Sequence, residues 1–166
     1  MAEHPDVKGE FKKLLNCVKV LKKGMPYVKV GILGDNVARK DGELNNAEIG
    51  FVNEFGKMTG YPKIPARSFI RMPLNTQFRE KLRTKKSLSG KELEKAIVEG
   101  KTEEFARKVG LVAEEVIQEA FSTNGFGQWK PNAEMTVQLK GSSSPLIDTG
   151  QLRRSISSKV IKDGDN

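Results

Sequence analysis

Phe11, Leu14, Leu15, Val18 and Leu21 recur at the three- and four-residue spacing of one helix face. Lys12, Lys13, Lys19, Lys22 and Lys23 fill the positions between them. The spacing predicts an amphipathic helix over 9–23, with the lysines on its wet side, ended by Gly24 and Pro26. "YVKVGIL" at 27–33 alternates and is β-branched, the pattern of a strand. Residues 34–43 are turn chemistry. "NNAEIGFVNEFG" predicts a short helix with Asn45 or Asn46 as N-cap and Gly56 just past its end. "KMTGYPKIPARSFIR" carries two prolines and a glycine and is expected to be extended or hairpin-like. Pro73 suits the first turn of a following helix over 73–85, with Leu74, Phe78 and Leu82 on one face.

"TKKSLSGK" is a polar break, a second break falls near Gly100, and "ELEKAIVE" between them is a short helix at most. The strongest helical pattern follows. Thr102 is expected as N-cap, Glu103 and Glu104 suit the positive end of the helix dipole, and the apolar spacing from Phe105 through Val109, Val112, Val116 and Phe121 holds for about five turns. This is the expected central core helix. Residues 122–145 lack sustained periodicity and read as one long loop, a type of connection that is usually functional or mobile. Its Trp129 is the sole tryptophan; it is either a packing plug or an anchor for another subunit, since Trp is enriched at interface hot spots. "SISSKVIK" alternates as a final strand.

Strands at 27–33 and 156–161 need a sheet, and helix 103–121 offers a stripe to cover it. The expected architecture is α+β: an N-terminal helix over 1–25, then one domain over 26–166. That domain has a small mixed or antiparallel sheet against a long helix. With 166 residues the chain has no need of disulfides, and Cys17 is its only cysteine. The first residues have no apolar core and are not expected to form a signal peptide. No apolar run approaches the ~20 residues of a membrane span, and the chain is expected to be soluble and made in a cytoplasm.

Charge is unevenly distributed along the chain. The chain has 29 basic and 21 acidic residues, a net charge of +8. From Lys57 to Lys91 there are ten bases and one acid, Glu80; from Glu92 to Glu119 there are eight glutamates and four bases. Three explanations stay open: a nucleic-acid-binding face, a bipolar molecule whose copies meet positive to negative, and solvated surface. The basic stretch has only Tyr61, Phe69 and Phe78 as aromatics, few for a single-strand stacking platform.

"PLIDTGQLRRSI" contains the Asp-Thr-Gly with which an aspartic-protease loop begins. That chemistry needs a proton-sharing carboxylate pair, further strands and a flap. The sixteen residues after Gly150 are expected to be too few for them. Asp148 instead reads as the N-cap of a helix over "QLRRSI", with Gln151 as the reciprocal residue of a capping box. That helix buries Leu152 and exposes Arg153 and Arg154. His4 is the only histidine, so no Ser-His-Asp or Cys-His arrangement can be built. No Cys/His metal set and no phosphate-cradling glycine motif is present. Asp35, Asp41, Glu43, Glu48 and Glu54 are carboxylates whose spacing supports no hydrolase or Mg²⁺ nuclease. The expectation is a non-enzyme with no cofactor and no metal.

Five stretches in order carry a resemblance: a "VKVGIL" strand, "NAEIGFVNEFG", "IPARSFIR" and, after the long helix, "W-K-P" and "PLIDTGQLRRSIS". Over roughly residues 27–162 the chain resembles the tail-completion and tail-terminator proteins of long-tailed bacteriophages, also labelled virion morphogenesis proteins. The resemblance implies a virion structural part at the head–tail junction, assembled in the host cytoplasm. Such proteins form a ring, commonly of six copies, that stops tail-tube polymerisation and meets the head-side connector, and the fold implied carries extended inter-subunit loops that reach neighbouring copies. Implied partners are further copies of the chain, the tube protein and the connector or stopper, with DNA only in transit and no membrane. The helix over 9–23 and the insertion over 86–101 depart from the pattern.

Carried over residue by residue, the resemblance makes Asn53, Glu54, Phe55 and Gly56 the close of a short helix, with Phe55 in the core and Gly56 at positive φ. Pro65 opens an extended arm in which Phe69 packs inward and Arg67 reaches a carboxylate, within the subunit or across the ring. Arg67, Phe69, Arg71, Trp129, Arg153 and Arg154 are the expected contacts to neighbouring subunits or partners. Asp148, Gly150 and Gln151 are structural. Arg67→Glu is expected to weaken assembly and leave the subunit folded. The alternative from another class is a basic nucleic-acid-binding or DNA-packaging accessory protein, separable by the salt dependence of binding.

Overall fold

The longest apolar stripe in the sequence organises the molecule. In a computed structural model that describes residues 7–34, 44–60 and 63–162, α6 (Thr102–Ser122) buries Ala106, Val112, Ala113, Val116, Ile117, Ala120 and Phe121. It lies across a two-stranded antiparallel sheet of β1 (Tyr27–Ile32) and β2 (Ile156–Ile161), whose register pairs Tyr27 with Ile161 and Ile32 with Ile156. The architecture is α+β. Gly110 lets helix and sheet approach: a Cβ there would stand 2.6 Å from Ser158 Oγ and 3.1 Å from Val28 Cγ1. Two strands alone are marginal in water, and α6 supplies the apolar cover they lack.

The other elements complete the described fold. They are α2 (Asn46–Phe55), α3 (Arg71–Thr76), α4 (Phe78–Thr84), α5 (Gly90–Glu99), α7 (Glu134–Lys140) and α8 (Gln151–Arg154), with a 3₁₀ turn at Lys86–Leu88. The core joins Phe69, Ile117, Phe121, Trp129, Leu152 and Ile156. Phe121 stands between Phe69 and Trp129, with ring centroids 5.5 and 5.8 Å away and tilted or edge-on geometry, the arrangement that ring quadrupoles favour.

α2 starts as its sequence predicts. Asn45 Oδ1 accepts from the N–H groups of Ala47 and Glu48, and Glu48 accepts from the Asn45 N–H, a complete capping box. Beyond it Lys57 and Ile64 form an antiparallel bridge, exchanging backbone hydrogen bonds. The helix expected over 73–85 is two helices parted at Gln77, whose φ is −112°. Thr76 Oγ1 bonds back to the Met72 carbonyl at 2.8 Å, a side-chain competition that bends helices. Thr102 is not the cap of α6. Gly100 is left-handed and the Lys101 N–H returns to the Ala96 carbonyl at 2.7 Å, so Lys101 takes the cap position and Thr102 is already helical.

Two further expectations are corrected. Residues 122–145 are not one loop: a turn closes with the Trp129 N–H on the Asn124 carbonyl, and α7 follows. Asp148 caps nothing. Gly150, at φ 73°, is the residue before a single turn of helix that makes no side-chain cap bond.

α1 (Val7–Lys23) covers the predicted helix, but its apolar row is not buried. It rests on the body through half-buried Asn16, Cys17 and Val20, with Asn16 Nδ2 donating to the Val98 carbonyl at 2.9 Å. Leu14 and Leu21, 60 and 85 % exposed, face away. Of the earlier candidates, His4, Asp35, Asp41 and Glu43, and the turn over 35–43, lie outside the described residues.

Candidate functional site

Glu54 is the most heavily bonded side chain of the stretches that carry the resemblance. It ends α2 buried, and its carboxylate accepts from Ser68 Oγ (2.6 Å), from the backbone N–H of Phe69 (2.7 Å), Ile70 (3.0 Å) and Arg71 (3.1 Å), and from Arg71 Nε (3.0 Å). These are the N–H groups at the entry to α3, which has no side-chain cap of its own. Glu54 therefore caps α3 from another helix, and Ser68 Oγ completes the cap by accepting the Met72 N–H at 2.9 Å. Burial pushes the Glu54 carboxyl up, but the hydrogen bonds from Ser68, the Ile70 and Arg71 backbone and the Arg71 guanidinium outweigh it and hold the group below its ordinary value.

The same arm is pinned from its other side. Arg67 is buried and donates from Nε to the Lys130 carbonyl (2.8 Å) and from Nη2 to the Pro131 carbonyl (2.9 Å). It reaches carbonyls of its own chain, not the carboxylate expected. Burial pulls its guanidinium down from its ordinary value. Trp129 Nε1 donates to the Ser68 carbonyl at 3.1 Å. Gly56 takes φ 78°, and a Cβ there would stand 2.8 Å from the Ala66 backbone nitrogen, so the turn admits only glycine. "NEFG", "IPARSFIR" and "W-K-P" are thus three sides of one locked cluster, and Asn53 joins it by accepting the Arg67 N–H on its carbonyl at 2.7 Å.

This cluster reassigns most of the expected contact residues. Phe69 is fully buried and Trp129 buried in the core, so neither is an exposed contact and Trp129 is the packing plug. Arg67→Glu would bury an unpaired carboxylate, and it is a variant of the fold. Arg71 alone combines the cluster with the surface: its guanidinium pairs with Glu54 and lies 4.3 Å from the centroid of the Phe55 ring. Phe55 is not core; it is 49 % exposed and touches Phe51, 66 % exposed, at 4.8 Å between centroids. Arg153 is half-buried, not exposed, and exchanges hydrogen bonds with the Gln118 amide on α6. Arg154 is exposed and donates to the Thr149 carbonyl at 3.0 Å.

Asp148 and Gly150 border a depression of about 300 Å³ shared with Asn53, Arg67, Asn132 and Gln151. Among the described residues Asp148 is the sole carboxylate lining it. Among the described residues no group of three His, Cys, Asp or Glu side chains is placed to hold a metal ion, and no helix is long and apolar enough to cross a membrane.

The bipolar charge is partly spent inside the chain. Lys81 Nζ reaches Glu119 at 2.9 Å and Glu115 at 3.2 Å, and Lys85 Nζ reaches Glu115 at 2.9 Å, tying α4 to α6. The bonds to Glu119 and Glu115 raise the Lys81 ammonium above its ordinary value, and Lys85 and Lys81 lower Glu115.

What the fold leaves open is apolar. Besides the row on α1, the Phe51–Phe55 pair and Met58 are exposed, and α7 exposes Met135 and Leu139. Sequence reasoning missed these faces because periodicity marks a helix as amphipathic without saying whether its own chain covers it. No protein family, no characterised protein and no solved structure matches this chain in sequence or in fold.

Proposed function

We propose that this chain is a structural subunit of a ring at the head-proximal end of a long-tailed bacteriophage tail, ending tube polymerisation and joining the tail to the head-side connector. One observation carries the reading. Three of the five stretches that resemble tail-completion proteins, those at Glu54, Arg67 and Trp129, meet in one cap cluster, which supports reading them together. The apolar faces on α1, α2 and α7 support an assembly role, because clustered exposed apolar side chains mark surfaces that meet other proteins. The subunit in this account is not an enzyme and acts by occupying a place.

The test is solution mass by light scattering with negative-stain images of the same fraction. The expected result is an annular particle of about six times the 18.4 kDa subunit mass, or such a ring formed on added tail tubes. Protein that neither forms a ring nor binds tube ends would overturn the reading.

A second reading has its own observation: Lys29 and Lys159 stand directly opposite each other on β1 and β2, both exposed. Like charges so placed destabilise a sheet, and a polyanion would relieve them. This supports the DNA-binding or packaging accessory, which steep salt dependence of DNA binding would favour.

A further inference from the structure

Two exposed apolar surfaces of this chain match each other in shape class and in charge. The first is the row Phe11, Leu14, Leu15, Val18 and Leu21 on α1. The second is an apolar groove of about 350 Å³ where the start of β1 meets α4, α5 and α6, lined by Met25, Val28, Phe78, Leu93, Phe105 and Val109. Phe105 and Val109 belong to the core stripe of α6 but stay half-buried because they face this groove. α1 carries six lysines and one glutamate; α5 and α6 together carry eight glutamates and four bases. None of the α1 lysines has an ion pair among the described residues, and neither do Glu92 and Glu94 on α5 beside Leu93.

We propose that α1 of one copy lays its apolar row in the groove of a second copy, with its lysines against the glutamates of α5 and α6. The row is exposed in its own chain, so it does not fill its own groove. A pair of α1 helices row to row would bring two sets of six lysines together, which charge opposes. Row into groove is a head-to-tail contact between different patches, the kind that propagates from copy to copy and closes into a ring when the rotation allows. The contact stands on these two surfaces; its closure into a ring rests on the assembly reading above.

The test uses the full chain with two variants. Leu14→Glu/Leu21→Glu spoils the row at exposed positions; Met25→Arg/Leu93→Arg spoils the groove and repels lysines. Light scattering on wild type is expected to give an oligomer, and each variant alone a monomer, its association weakened about a hundredfold or more. Mixing the two variants is the decisive arm. The sound α1 of one and the sound groove of the other should give a two-chain particle that grows no further. Far-UV circular dichroism checks folding, and Met25→Arg alone, at an already exposed position, replaces the double variant if that loses its helical signal. Four results overturn the proposal: a wild type that stays monomeric, variants that keep the wild-type mass, a mixture that does not pair, or a monomer that instead floats with vesicles of phosphatidylserine and phosphatidylcholine. A wild type that is monomeric alone but rings tube ends removes this contact and leaves the assembly reading standing.

Discussion

A glutamate in the last turn of a helix meets the negative end of the helix dipole, and Glu54 sits there buried as well. Two unfavourable placements are tolerated because five donors converge on it. Glu54→Gln keeps the shape but turns an amide N–H₂ toward N–H groups and leaves donors unmet, a cost of about 2–4 kcal/mol. The thermal midpoint should fall accordingly; an unchanged midpoint would show the cap to be dispensable. The pH dependence has a definite sign. A carboxyl held below its unfolded value gives stability that is complete above that value, 4.5 for a free glutamate, and is lost as pH falls through the folded one. Wild type should therefore lose stability on acidification below about pH 4.5, and the Gln variant should lose less over the same range. Parallel pH–stability curves for the two proteins would sink the assignment. In the sequence Glu54 stands out only as one of five carboxylates and as part of the motif that closes a short helix, because nothing local reveals the arm that folds over it.

At the scale of elements, what a short window contains was legible and what depends on a distant partner was not. The N-cap of α2, the alternation of β1 and the stripe of α6 are complete within a few residues, and each forms, with Asn45 of the two candidate asparagines taking the cap. Asp148 and Gln151 had the letters of a capping box. The left-handed Gly150 breaks the geometry such a box needs, and only one turn of helix follows. α7 carries Met135, Val137 and Leu139 at every second position, a pattern that does not announce a helix. Gly110 shows an element answering to its neighbour: glycine weakens a helix interior, yet the sheet leaves no room for a Cβ. Gly110→Ala should therefore destabilise, by about 1–2 kcal/mol net of its gain in helix propensity, since it drives a methyl into Ser158 and Val28. A rise in the thermal midpoint on chemical or thermal unfolding would mean that helix and sheet part at little cost.

For the whole molecule the question is where its positive charge can act. Of the ten bases between Lys57 and Lys91, Arg67 is inside, Arg71 is held by Glu54, Lys81 and Lys85 are held by Glu115 and Glu119, and Arg83 lies 3.8 Å from Glu80. Lys57, Lys63, Arg79, Lys86 and Lys91 remain exposed and without an ion pair among the described residues, and they are divided among the arm after α2, the start of α4, the turn after α4 and the start of α5. A run of charge in the sequence has become scattered points on the fold. A surface that neutralises six to ten phosphates loses roughly 10³–10⁵ in affinity between 50 and 200 mM salt, whereas about two contacts cost roughly tenfold. The Lys29–Lys159 pair supplies two such contacts per subunit. Fluorescence anisotropy with a labelled duplex should thus give weak binding with a loss near tenfold over that range, while the apolar contacts between copies hold. A thousandfold loss would mean that the lysines of α1 and the sheet act together on DNA, and the chain would then be an accessory of the nucleic acid rather than a ring through which it passes.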